Sequence, residues 1–172
     1  MPPQQQQGRR PKKKSQYGLQ LEEKQNLKKT YGIREEQLRV YYTHAKKSRE
    51  ETGPSMISLL ERRLDNAIFR VGFAETRRQA RQMSSHRFFE VNGRPVNVPS
   101  YRLRKGDMIT IRESKRDKKY FANLEKKMQN AQLPEWLEVD IEAYGFKILN
   151  HPTAEEANTG VHIQSVVELL SR

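Results

Sequence analysis

Between Ser58 and Ile111 the apolar pattern changes period, and that change restricts the possible folds more than any other feature of the chain. Leu60, Leu64, Ile68 and Val71 recur at helical spacing, which predicts a helix over roughly Ser55 to Val71, stopped by Gly72. Thr76 followed by Gln79 reads as a capping box that starts a short helix to about Ser85, with Ala80 and Met83 turned inward. After His86 the period becomes two. Phe89 and Val91 are expected to pair with Val96 and Val98 around Asn92-Gly93, a strong hairpin signal. Lys105-Gly106-Asp107 is another turn, and Met108 to Ile111 a third strand. The fold class is α+β: two helices packed on a small antiparallel sheet.

The same two helices carry Arg62, Arg63, Arg70, Arg77, Arg78 and Arg81, and no lysine. All six are expected on the face opposite the apolar stripe. Solubility alone does not select guanidinium over ammonium, whereas bidentate phosphate contact and base stacking do. Arg78 and Arg81, three residues apart, are the leading candidates, with Gln82 beside them. Asp65 among these arginines reads as an ion-pair partner for Arg62 or Arg81. His86 either ends the second helix or touches the ligand. Arg94, Arg112, Lys115, Arg116, Lys118 and Lys119 extend the basic track.

Charge over the whole chain agrees with a polyanionic partner. The net charge is +12, yet residues 121–172 hold four Lys/Arg against eight Asp/Glu, so the positive excess belongs to the first two thirds. A membrane surface is the rival polyanion. No apolar run approaches the ~20 residues of a spanning helix, and the arginines do not back onto an exposed aromatic face. The absence of cysteine excludes disulfides, thiolate zinc sites and cysteine nucleophiles. His44, His151 and His162 lack metal-ligand spacing, and no phosphate loop or nucleophile elbow is present, so neither an enzyme nor a cofactor is expected.

The flanks supply the frame. Residues 1–16 form a basic tail expected to be disordered until it meets phosphates, through Arg9, Arg10, Lys12, Lys13 and Lys14. Leu21 to Tyr31 reads as a weakly apolar helix stopped by Gly32, and Arg34 to Lys47 as a clearer one facing inward through Leu38, Tyr41, Tyr42 and Ala45. Glu51-Thr52-Gly53-Pro54 reads as a break between domains. Lys118 to Gln129 is expected to be helical. Trp136 to Asp140 and Phe146 to Leu149 read as strands, 150–160 as loop, and Val161 to Leu170 as a closing helix.

Several of these segments, in this order and spacing, resemble the family of the fourth protein of the small ribosomal subunit. They are Tyr17-Gly18-Leu19-Gln20-Leu21 with Glu23-Lys24-Gln25, Tyr31-Gly32-Ile33, Arg63-Leu64-Asp65-Asn66, and Thr76-Arg77 with Ala80-Arg81-Gln82. Ser85-His86, Val91-Asn92-Gly93, Pro99-Ser100-Tyr101, Pro134 with Trp136-Leu137, and Val166-Val167-Glu168-Leu169 complete the set. The resemblance runs from about Tyr17 to Arg172. It implies a helical domain over 17–57, completed by 150–172, with an RNA-binding domain inserted at 58–121 and extended by 122–149. Family members usually begin with a longer segment, in some cases carrying zinc-binding cysteines; the basic tail is expected to replace part of its contacts.

What the resemblance implies functionally is a structural constituent of the small ribosomal subunit that binds its RNA early in assembly. The implied site is a multi-helix junction in the 5′ domain. It also implies a monomer in contact with neighbouring ribosomal proteins, an influence on decoding accuracy, and a bacterial-type cytoplasmic ribosome, an organellar one being the variant. Two rivals stand beside it. One is a stand-alone RNA-binding regulator, such as a repressor of its own messenger RNA. The other is a DNA-binding helix-turn-helix protein, which requires a symmetric dimer.

Overall fold

The computed structural model describes residues 14–129 and 132–172. Helix α1 (Gln16–Tyr31) starts on the Ser15 hydroxyl and ends at Gly32, which takes the left-handed conformation that a glycine tolerates best. Helix α2 (Glu35–Lys46) has Glu35 and Glu36 in its first turn and His44 and Lys46 in its last, the arrangement its macrodipole favours. Helix α3 (Thr52–Glu61) packs on α2, and the terminal helix α8 (Ile163–Ser171) returns to pack on α1. Leu27, Tyr31, Leu38, Met56, Ile57, Leu60 and Val166 form the core of this helical unit.

A second core begins at Leu64. Helices α4 (Leu64–Val71) and α5 (Arg77–Ser85) pack on each other and on a five-stranded sheet made of β1 (Phe89–Val91), β2 (Arg94–Val96), β3 (Met108–Ile111), β4 (Leu137–Asp140) and β5 (Gly145–Ile148). The spatial order is β2-β1-β3-β5-β4, with every pair antiparallel. Phe73, Phe89, Phe121 and Phe146 form one aromatic cluster between helices and sheet. Two 3-10 turns (Glu113–Lys115 and Lys119–Phe121), helix α6 (Leu124–Gln129) and the short α7 (Ala154–Ala157) complete the chain.

Five expectations are corrected, two of them at segments just named: 150–160, expected as loop, holds α7, and Lys118 to Gln129, expected as one helix, is a 3-10 turn followed by α6. The single helix over Ser55 to Val71 is two helices, parted at Arg62 and Arg63. Leu64 and Asp65 donate their backbone N–H groups to the carbonyls of Tyr101 and Pro99, and Leu103 donates to Arg62. A distant loop thus satisfies donors that a helix start leaves free. The supposed break at Glu51–Pro54 is the beginning of α3, where a first-turn proline costs no hydrogen bond. Val98 lies outside the hairpin: the register pairs Phe89 with Val96 and Val91 with Arg94. The turn itself is as expected, with Asn92 and Gly93 both at positive φ. The Asn92 side chain pins it to β3, accepting from the Met108 N–H (3.0 Å) and donating to Asp107 (2.9 Å).

Candidate nucleic-acid interface

Three of the six helix arginines do not face solvent as a binding group would. Arg63 is 1% exposed. Its guanidinium donates to both oxygens of Asp65 (3.0 and 2.8 Å) and to the Tyr41 hydroxyl (2.9 Å). Burial is the largest single influence and lowers its pKa, but the hydrogen bonds and charge of Asp65, together with Tyr41, outweigh it and hold the group above its ordinary value. Arg70 grips the fully buried Glu61 and donates to the Ala157 carbonyl (2.6 Å). Arg77 donates to Asn66 Oδ1 (2.9 Å), with its guanidinium 4.4 Å from the Phe69 ring centre and 5.3 Å from that of Tyr31. Its pKa is lowered by burial and then by nearby Arg70. The expected solvent-facing stripe is therefore corrected: these three tie the helical core to the sheet-side core. Arg62 is intermediate, half-buried with its Nε on the Leu103 carbonyl (2.8 Å).

What remains outward is narrower and better defined. Helix α5 begins at the Thr76 hydroxyl, which accepts from the Gln79 N–H (3.1 Å), while the Gln79 side chain accepts from the Glu75 N–H (2.8 Å). That cap sets the rotation of the helix. Arg78 and Gln82 are exposed, and Arg78 has no side-chain partner among the described residues. Arg81, 37% exposed, donates to the Gly32 carbonyl at the end of α1 (2.6 Å) and lies 3.7 Å from Asp65. Asp65 thus pairs with Arg63 first and Arg81 second, and not with Arg62. A cleft of about 430 Å³ opens here, lined by Lys29, Thr30, Tyr31, Gly32, Asp65, Arg77, Arg78 and Arg81. Lys29 escaped the sequence reading because α1 looked like frame alone; a cation in its last turn beside Gly32 was the available signal.

The remaining candidates divide. His86 is exposed and forms the C-terminal cap of α5. Arg94 is exposed on β2. Arg112 is held 3.6 Å from Glu90. Lys115 stands 5.0 Å from the Phe88 ring centre and Arg116 4.8 Å from that of Tyr144, each with a partly exposed side chain. Lys118 and Lys119 are exposed. Lys14 pairs with Glu22 (2.7 Å). Arg9, Arg10, Lys12 and Lys13 lie outside the described residues.

Arginines framing a cleft beside a helix can supply what folded RNA requires: cations for crowded phosphates and planar groups for unpaired bases. Comparison with known proteins agrees. Residues 1–61 match the Ribosomal protein S4/S9 N-terminal domain, and residues 62–109 the S4 domain. The division falls where α3 gives way to Arg62 and Arg63. Small ribosomal subunit protein uS4 of Corynebacterium ammoniagenes is 46% identical over 167 residues, covering 96% of this chain and 82% of that protein. Its counterpart in Syntrophomonas wolfei is 43% identical over 166 residues, covering 96% and 79%. That of Caldicellulosiruptor bescii is 42% identical over 167 residues, covering 97% and 80%. With such identity sustained across both cores, the chain belongs to the uS4 family of small ribosomal subunit proteins.

Proposed function

We propose that this protein is a structural constituent of the small subunit of a bacterial-type cytoplasmic ribosome, and that it binds the RNA of that subunit without catalysing a reaction. The observation that carries the reading is the α5 face, where Arg78 is unpaired among the described residues and Arg81 stands beside it at the mouth of the cleft. Arg63, Arg70 and Arg77 make the face rigid, since each is fixed to the helical core, by a hydrogen bond to Tyr41, an ion pair with Glu61 and stacking on Tyr31 respectively. A preorganised cation cluster loses little side-chain entropy on binding, which favours a folded junction over a flexible strand. The finer assignment follows: a monomer at a multi-helix junction in the 5′ domain, binding early, touching neighbouring ribosomal proteins and influencing decoding accuracy.

Co-sedimentation with small subunits at physiological salt tests this reading. Protein found in the subunit fraction supports it. Protein that remains free while still binding a messenger RNA would favour the stand-alone regulator. Competition between folded small-subunit RNA and duplex DNA should go to the RNA. With about six outward phosphate contacts, affinity is expected to fall roughly 10³-fold between 50 and 200 mM salt.

A further inference from the structure

A second basic cleft lies on the other side of the buried Arg63. Arg63 reaches Asp65, which lines the α5 cleft, with one edge of its guanidinium, and Tyr41, which lines this second cleft, with the other. The second cleft consists of two depressions of about 350 and 270 Å³ that share His44, Leu59 and Arg102. Helices α2 and α3 form its walls, together with the loop that splits α3 from α4. Arg104 and Tyr41 line one depression; Arg62, His151 and Glu50 line the other.

Its charge is unbalanced. Arg62, Arg102 and Arg104 make no salt bridge among the described residues, and the Arg102 and Arg104 side chains make no hydrogen bond there either. Burial, followed by the proximity of Arg102 and Arg104, lowers the pKa of Arg62, against the opposing pull of Asp107. Glu50 is the one carboxylate lining either depression, and it is exposed. Asp107, which accepts from the Arg104 backbone N–H (2.8 Å), offsets part of this charge, and the three cations still outnumber Asp107 and Glu50, a positive excess that favours an anion. The Tyr41 and His44 rings beside these cations select a polyanion that carries flat groups.

We propose that this cleft is a second RNA-binding site, which takes the backbone of a strand separate from the one on the α5 face, with Arg102 and Arg104 on phosphates and Tyr41 and His44 against unpaired bases. The inference rests on the proposed ribosomal RNA-binding function and adds to it. Two clefts separated by a single buried arginine make the protein a clamp between two RNA segments. Arg63 is then the rigid partition that fixes their spacing.

The test uses the full chain and complete small-subunit ribosomal RNA in filter binding across a salt series. R102A/R104A is expected to lower affinity about 10-fold or more and the salt slope by about 2, at an unchanged melting temperature. The loss should multiply with that of R78A, because the two sites hold different strands. With thiouridine-substituted RNA, photocross-links are expected on residues 40–44 and should vanish in R102A/R104A. If the double variant keeps the unaltered affinity and slope while R78A loses both, the second site is overturned and the first reading stands. If the unaltered chain does not bind the RNA at all, both fall.

Discussion

Arg70 on α4 holds Glu61 at the end of α3 through two hydrogen bonds of 2.9 and 2.8 Å, and so joins the last turn of a helix of one core to the first helix of the other. Glu61 also accepts from the Tyr31 hydroxyl (2.6 Å) and from Asn66 Nδ2 (2.8 Å), and is 0% exposed. A carboxylate this deep is tolerated because nearly every lone pair is occupied. Glu61→Ala takes the counter-charge from a half-buried guanidinium, which keeps only the Ala157 carbonyl, and the acceptor from the Tyr31 phenol, while Asn66 keeps the backbone carbonyl of residue 61. The expected loss is about 3 kcal/mol in urea unfolding. A loss under about 1 kcal/mol would mean that the bond does not couple the cores.

Tyr31 carries a pH signature of the same cluster. Burial and then the Glu61 carboxylate push its phenol far above the ordinary tyrosine value near 10. A group raised in the folded state contributes stability that is complete below its unfolded pKa and is lost as pH rises toward the folded one. The stability difference between the unaltered protein and Tyr31→Phe should therefore be larger at pH 8 than at pH 11. Denaturant midpoints at the two pH values check this; a constant difference contradicts it.

Gly145 is required by close approach and not by backbone angle. A Cβ there would collide with the Ile109 carbonyl, in the middle of the β3–β5 pairing. Gly145→Ala is expected to cost roughly 2 kcal/mol or more through overpacking. A variant with the unaltered midpoint would show that these strands separate freely.

Arg81 serves both cleft and fold. Because it caps the Gly32 carbonyl, Arg81→Ala should lower stability by about 1 kcal/mol as well as weaken RNA binding. Arg78, exposed and without such a bond among the described residues, should leave stability untouched when removed. Thermal melts of the two single variants check the split, and equal melting temperatures would contradict it.

Local signals carried the elements that local chemistry decides. The Asn92-Gly93 turn, strand β3, the Thr76 cap and the Gly32 and Gly72 stops were legible because each depends on residues a few positions apart. The parting of α3 and α4 was not, because it is imposed by the loop at 99–103, some forty residues away. The burial of Arg63, Arg70 and Arg77 was missed for a related reason. Periodicity tells which side chains share a face, but not that Tyr31, Tyr41 and Glu61 will be laid over that face by another core. The three arginines looked alike in sequence and differ only in what covers them.

Filter binding of Arg78→Ala to small-subunit ribosomal RNA, as a function of salt, probes the outward α5 face most directly. One exposed guanidinium with no partner among the described residues is removed, so the melting temperature should stay where it was. Affinity is expected to fall by about 1 to 3 kcal/mol, and the salt slope by about 1. An unchanged affinity and slope, with the fold intact, would place the RNA on some other surface.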